Sequence, residues 1–128
     1  MEETVTEEQL EPKPVQFLGS SRDDLRGFPK PVTRAFGLAL FDAQVGEKNP
    51  HTKPLKGFGG AGVLEVVEQQ RGSTYRAVYT VKFAGVVYVL HVFQKKSNSG
   101  RKTPLPDMQT IRSRHKDAEN DYAKRFQD

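Results

Sequence analysis

The chain has no cysteine among its 128 residues. That excludes a disulfide framework and any thiolate metal site, and it suits a reducing compartment, so a cytoplasmic location is expected. Histidine is scarce too. His51, His91 and His115 show neither HxH nor HxxxH spacing, so neither a zinc site nor any other cofactor is expected. Apolar residues make up only 35% of the chain and its mean hydropathy is −0.68. The longest apolar run, residues 84–93, is interrupted by Gly85 and His91 and falls far short of the roughly 20 residues a helix needs to cross a bilayer. No membrane partner is expected. The opening MEETVTEEQLEPKP has no apolar segment of the kind a secretory signal carries.

What is present is positive charge, unevenly spread. The net charge is +4, yet residues 1–13 hold Glu2, Glu3, Glu7, Glu8 and Glu11 against Lys13 alone. The chain therefore divides into a disordered acidic tail, 1–13, and a single basic domain, 14–128, whose natural partner is a polyanion.

Within that domain PVQFLG reads as a short strand ended by Gly19. SSRDDLRGF reads as a helix start with Ser21 as N-cap, stopped by Gly27 and Pro29. From Pro31 onward Val32, Phe36, Ala39, Leu40 and Ala43 fall at helical spacing, closed by Gly46. The glycine- and proline-rich 46–62 is a loop carrying Lys48, Lys53 and Lys56. GVLEVVEQQ and TYRAVYTVKF, separated by RGS, predict a hairpin, and VVYVLHVF a third strand. A terminal helix follows, with Asp107 as N-cap and Met108, Ile111, His115, Ala118, Tyr122 and Phe126 on its apolar stripe. The fold class is α+β, in the order strand, helix, helix, three antiparallel strands, helix, with the helices packed on one face of the sheet.

Strand alternation puts Arg76, Val78, Thr80 and Lys82 on one side, and Val87, Val89, His91, Phe93 and Lys95 together on the next strand. The face away from the helices thus carries Arg76, His91, Phe93 and Lys95. HVFQKKSNSGRKTP then adds Lys96, Arg101 and Lys102 with no acid to offset them. Cations and a ring suit RNA: ammonium groups neutralise phosphates and an aromatic stacks on a base. Metal-independent RNA cleavage needs a proton removed from a 2′-OH and charge stabilised on phosphorus, for which His91 and Arg76 are the candidates. Bland alternatives stand beside these: Arg76 paired with Glu65 or Glu68, His91 as a structural hydrogen-bonding residue, Phe93 and His115 as core, and Lys95 and Lys96 as protection of a sheet edge.

The run YRAVYTVKFAGVVYVLHVFQKKSNSGRKTPLPDMQTIRSRHKDAE resembles the C-terminal half of phage-derived HigB-type toxins of the RelE/ParE superfamily, and KPLKGFGGAGVLEV resembles that group's Lys-Pro-Leu-Lys-Gly loop and following strand. The likeness extends over residues 15–119. It implies a RelE/ParE-like fold and the toxin of a type II toxin–antitoxin pair, a ribosome-dependent endonuclease that cuts mRNA in the A site by metal-independent 2′-OH attack. It further implies the ribosome and mRNA as partners and a small helix-turn-helix antitoxin. Carried over by position are a cationic surface of Arg76, His91, Lys95, Lys96 and Lys102 and the RNA contacts Lys53 and Lys56. With Phe93 and Arg101 added from the residues themselves, the catalytic set is Arg76, His91, Lys95 and Lys96, and the RNA or ribosome contacts are Lys53, Lys56, Phe93, Arg101 and Lys102. One departure stands out: Val66, Val67 and Glu68 lie where many relatives carry a basic residue. A DNA gyrase poison and a noncatalytic nucleic-acid-binding phage regulator are the rival readings.

Overall fold

The computed structural model describes residues 11–60, 62–95 and 102–126. Its sheet has five strands in the order β1-β5-β4-β3-β2: β1 is Val15–Phe17, β2 Thr52–Pro54, β3 Val63–Gln70, β4 Ser73–Thr80 and β5 Val87–Lys95. β1 pairs parallel to β5; the other neighbours are antiparallel. β3 and β4 meet at a two-residue turn in which Arg71 and Gly72 both have positive φ, 52° and 81°. A type I′ hairpin requires that geometry, and a glycine at one of the two positions makes it cheap. β2 lies inside the segment read as pure loop. Three residues ending in Pro54 show no alternation to detect, and its place comes from pairing with β3.

Helix α1 is Ser21–Arg26 and α2 is Lys30–Gln44. Ser21 is buried inside α1, and the N-cap is Ser20, whose Oγ donates to the Asp24 carboxylate at 2.7 Å. α2 carries Pro31 in its first turn, where the missing N–H costs nothing. It buries the expected stripe of Val32, Phe36, Ala39, Leu40 and Ala43 against Val66, Tyr75, Ala77, Tyr79, Val87, Val89 and Val92. Lys13, assigned to the tail by composition, is held at the end of α2: its N–H donates to the Gln44 carbonyl at 3.0 Å and its carbonyl accepts from the Gln44 side chain at 2.7 Å. Residues 1–10 of that tail lie outside the described residues.

The last helix, α3 (Leu105–Phe126), packs on the opposite face. The expectation of helices on one face holds for α1 and α2, while α3 buries Ile111 and Ala118 against Val78, Tyr88, Leu90 and Phe93. The reason lies in the strands: β4 and β5 are apolar on both sides, so both sides need cover. A bulge explains the phase of β5. Tyr79 pairs with Val89 and Val78 with His91, leaving Leu90 between them. Unbroken alternation would group Val87 and Val89 with His91 and Phe93; the extra residue instead turns Val87, Val89 and Val92 toward α2. Asp107 does not cap α3 either, since the helix starts two residues earlier, at Leu105.

Two stability predictions arise here. Gly37 sits exposed in the middle of α2, and a Cβ built there meets nothing within 4 Å. Gly37→Ala is expected to raise stability by about 1 kcal/mol, read as a higher urea midpoint at unchanged slope. His115 lies 5.6 Å from the Phe58 ring and 6.3 Å from that of Phe83, with Nε2 buried and without a hydrogen-bond partner. Burial lowers its pKa and Lys82 adds to that, against Glu119. The unfolded chain therefore binds this proton more readily than the folded one, so His115 costs stability as pH falls below about 6.5 and costs none above. A His115→Gln variant should lose less stability than the parent between pH 7 and pH 5; parallel curves would contradict this.

Candidate functional site

Pairing with β3 brings Lys53 of β2 opposite Glu65, and the chain continues from there through Leu55 to Lys56. Together with Lys102, Thr103 and Met108 at the approach to α3, these residues line a cleft of about 430 Å³ on the α3 side of the sheet. Its charged lining is three lysines and one carboxylate, Glu65. Lys53, Lys56 and Lys102 are all exposed, so their ammonium groups are hydrated and available to a phosphate.

Arg76 lies beneath this cleft rather than in it. Its side chain is 6% exposed and Glu65 7%, with Nη1 donating to Oε1 at 2.9 Å. Glu65 pairs directly with Val78 and Arg76 with Val67, so the ion pair runs diagonally across the two strands, within reach of such long side chains. The Arg76 Nε–H is buried with no partner. The expected pairing of Arg76 with Glu65 or Glu68 is thus made with Glu65.

His91 belongs to a second group. Its Nε2 lies 2.8 Å from the Asp107 carboxylate and its Nδ1 3.3 Å from Arg114 Nη1. A guanidinium has no acceptor, so Nδ1 must accept and Nε2–H must donate to Asp107, which fixes the neutral tautomer. Arg114 also donates to the Leu90 carbonyl at 3.1 Å, the carbonyl exposed by the bulge, and to Ser20 Oγ at 3.3 Å. It lies so close to Gly19 (φ 56°) that a Cβ there would fall 2.5 Å from its guanidinium carbon. Phe93 stacks on His91 with centroids 4.9 Å apart at 18°, and it is buried. The two rings border an open groove shared with Asp23, Asp24 and Phe28, whose carboxylates make it a poor seat for phosphate.

Lys95, 9% exposed, donates from Nζ to the Lys102 carbonyl at 3.0 Å, joining the end of β5 to the approach of α3. Lys96 and Arg101 fall outside the described residues. Of the residues singled out from sequence, then, the structure gathers Lys53, Lys56 and Lys102 at one cleft with Arg76 below it, and it places His91 and Phe93 in a separate stack. Three participants were not read from sequence as site residues. Glu65 figured only as a possible partner of Arg76, Asp107 as a cap, and Arg114 not at all; nothing in local spacing ties them to the sheet. Among the described residues no group of three or more His, Cys, Asp or Glu is placed to hold a metal ion, and no helix is long and apolar enough to cross a membrane.

Residues 23–116 match the family model described as Phage derived protein Gp49-like (DUF891). No curated protein matches the chain. Among solved structures the chain is similar to one from the toxin–antitoxin complex RelBE2 of Mycobacterium tuberculosis, at 26% identity and a TM-score of 0.43, covering 67% of this chain and 94% of that one. It is also similar to a mutant of the E. coli toxin RelE in the free state, at 21% identity and a TM-score of 0.46, covering 64% of this chain and 82% of that one. The family model runs from the first turn of α1 to the middle of α3 and so takes in every residue of the lysine cleft, together with His91, Phe93, Asp107 and Arg114: the chain belongs to the phage derived Gp49-like family.

Proposed function

We propose that the protein is the toxin of a type II toxin–antitoxin pair, of the RelE superfamily and HigB type, and that it cleaves mRNA in the ribosomal A site. The observation that carries this reading is the convergence of Lys53, Lys56 and Lys102 around Glu65 in one open cleft. The YRAVYTV and HVFQKKS runs and the phage derived family support it.

The chemistry needs no cofactor. A base takes the proton from a 2′-OH, the 2′-oxygen attacks phosphorus, and the 5′-oxygen departs with a proton, leaving a 2′,3′-cyclic phosphate and a 5′-hydroxyl. In this cleft Glu65 is the proton acceptor, and Arg76, bound at 2.9 Å, holds its carboxylate in place. The lysines neutralise the nonbridging oxygens as charge builds on phosphorus, and an ammonium group supplies the proton to the leaving oxygen. His91 and Lys95 act by position, the first pinning α3 to the β5 bulge and the second fixing the approach of Lys102. Lys96 and Arg101 add charge to the same stretch of sequence.

The test is to translate an mRNA in an extract with the protein and map the new 5′ ends. Cuts within codons, bearing 5′-hydroxyls, are expected, and Glu65→Gln at matched folded concentration should cut at least about 100-fold more slowly. A second reading, a noncatalytic nucleic-acid binder, draws on the burial of Arg76 and the engagement of both His91 nitrogens. Salt-sensitive RNA binding with no cuts by the parent chain would decide for it.

A further inference from the structure

The sheet face opposite the cleft is covered by α2, and the outer side of α2 is unusual for a helix that ends at solvent. Lys30, Arg34, Gly37, Leu38 and Phe41 are all exposed, Leu38 at 61% and Phe41 at 49%. At 100° per residue they fall on one arc about 100° wide. The stripe is basic at its N-terminal end, apolar toward its C-terminal end, and free of carboxylates. Asp42, on the flank, is already taken up by Asn49 at 2.9 Å. Gly37 is the second observation. Nothing inside the fold requires a glycine there, since a Cβ would meet no atom within 4 Å. A glycine on the stripe between the basic Arg34 and the exposed Leu38 and Phe41 instead leaves a notch that lets another backbone approach the axis of α2 closely.

We propose that this stripe is the docking surface for an amphipathic, acidic helix of a second protein, with apolar side chains on Leu38 and Phe41, the helix backbone over Gly37, and carboxylates on Arg34 and Lys30. A helix is the shape that fits: α2 has 15 residues, about 22 Å of length, and its exposed residues recur at steps of three and four. A second copy of this chain fits poorly, because it brings the same Lys30 and Arg34, carries no carboxylate on the stripe, and has the same net charge of +4. The surface is independent of the cleft, and a helix bound there leaves Lys53, Lys56 and Lys102 uncovered.

The probe is a fluorescein-labelled 18-residue helical peptide with Leu and Ala on one face and Glu on the other, titrated by anisotropy against the full chain. Saturable binding is expected, weakened at least tenfold by Phe41→Ser and by Gly37→Arg. The second variant fills the notch while adding favourable charge, so a purely electrostatic attraction would strengthen instead. Lys53→Ala with Lys56→Ala should leave peptide binding unchanged and alter only RNA binding, which separates this surface from the cleft. Absence of binding, tighter binding by Gly37→Arg, loss of binding on removing Lys53 and Lys56, or a dimer of the chain that Phe41→Ser dissociates would each overturn the proposal.

Discussion

Arg76→Ala is expected to cost about 3–5 kcal/mol, a large share of the roughly 5–15 kcal/mol that holds a domain of this size together. The figure follows from what the truncation leaves behind. Glu65 and Arg76 are both more than nine-tenths shielded from water, and each meets the other's charge at 2.9 Å. Without Arg76 the Glu65 carboxylate must stay ionised without a partner, take up a proton, or pull the sheet open to reach water. The Arg76 Nε–H, already buried without a partner, shows that this guanidinium is not fully solvated even in the intact protein. Replacing both partners tells the pair's worth apart from the damage of breaking it: Arg76→Met with Glu65→Leu removes both charges and is expected to be near neutral or stabilising. Urea denaturation of the two single variants and the double variant measures this. A loss below about 1 kcal/mol in Arg76→Ala would mean that water reaches the pair, as at an exposed ion pair, and the account of a charge buried under the cleft would fail.

The double variant also separates architecture from chemistry. A protein that folds as well as its parent but no longer cuts RNA places the requirement on the Glu65–Arg76 pair itself rather than on the integrity of the sheet. Cutting that survives in the double variant excludes Glu65 as the proton acceptor.

Much of this architecture was legible from local pattern. The stripe from Val32 to Ala43 marks α2, the RGS turn marks the β3–β4 hairpin, and the steps of three and four from Met108 mark α3, because helical and strand periodicities are written in neighbouring residues. What was not legible depends on residues far apart in sequence. The bulge at Leu90 reverses the phase of half a strand, and no residue type in VVYVLHVF announces it. The face chosen by α3 depends on how much apolar surface the first two helices leave uncovered. At the site, Lys53, Lys56 and Lys102 could be recognised as cations but not as neighbours. That requires β2, a three-residue strand defined only by pairing, to bring Lys53 opposite Glu65. Arg76 and His91 were recognised as chemistry-bearing, but their carboxylate partners, Glu65 and Asp107, determine what each can do. Burial and partners separate a reacting group from a positioning one, and neither is written in the residue itself.

The cleft makes a sharper claim than a basic surface does, and the triple variant Lys53→Ala, Lys56→Ala, Lys102→Ala tests it. All three side chains are exposed, so each truncation should change stability by no more than about 0.5 kcal/mol. Lys95 reaches the backbone carbonyl of Lys102 rather than its side chain, so the connection from β5 to α3 survives the substitution. Function should respond strongly. If three phosphate contacts are lost from a single strand, the slope of log affinity against log salt should shrink by roughly 2, and mRNA cutting should fall at least about 100-fold as stabilisation of the developing phosphorane charge is removed. A control with the same change in formal charge, Arg22→Ala, Lys116→Ala, Lys124→Ala, removes exposed cations that do not line the cleft. It should leave both the salt slope and the cutting rate close to those of the parent. Equal losses in the two triple variants would mean that RNA senses only the overall charge of the molecule, and the cleft around Glu65 would have no claim to be the site.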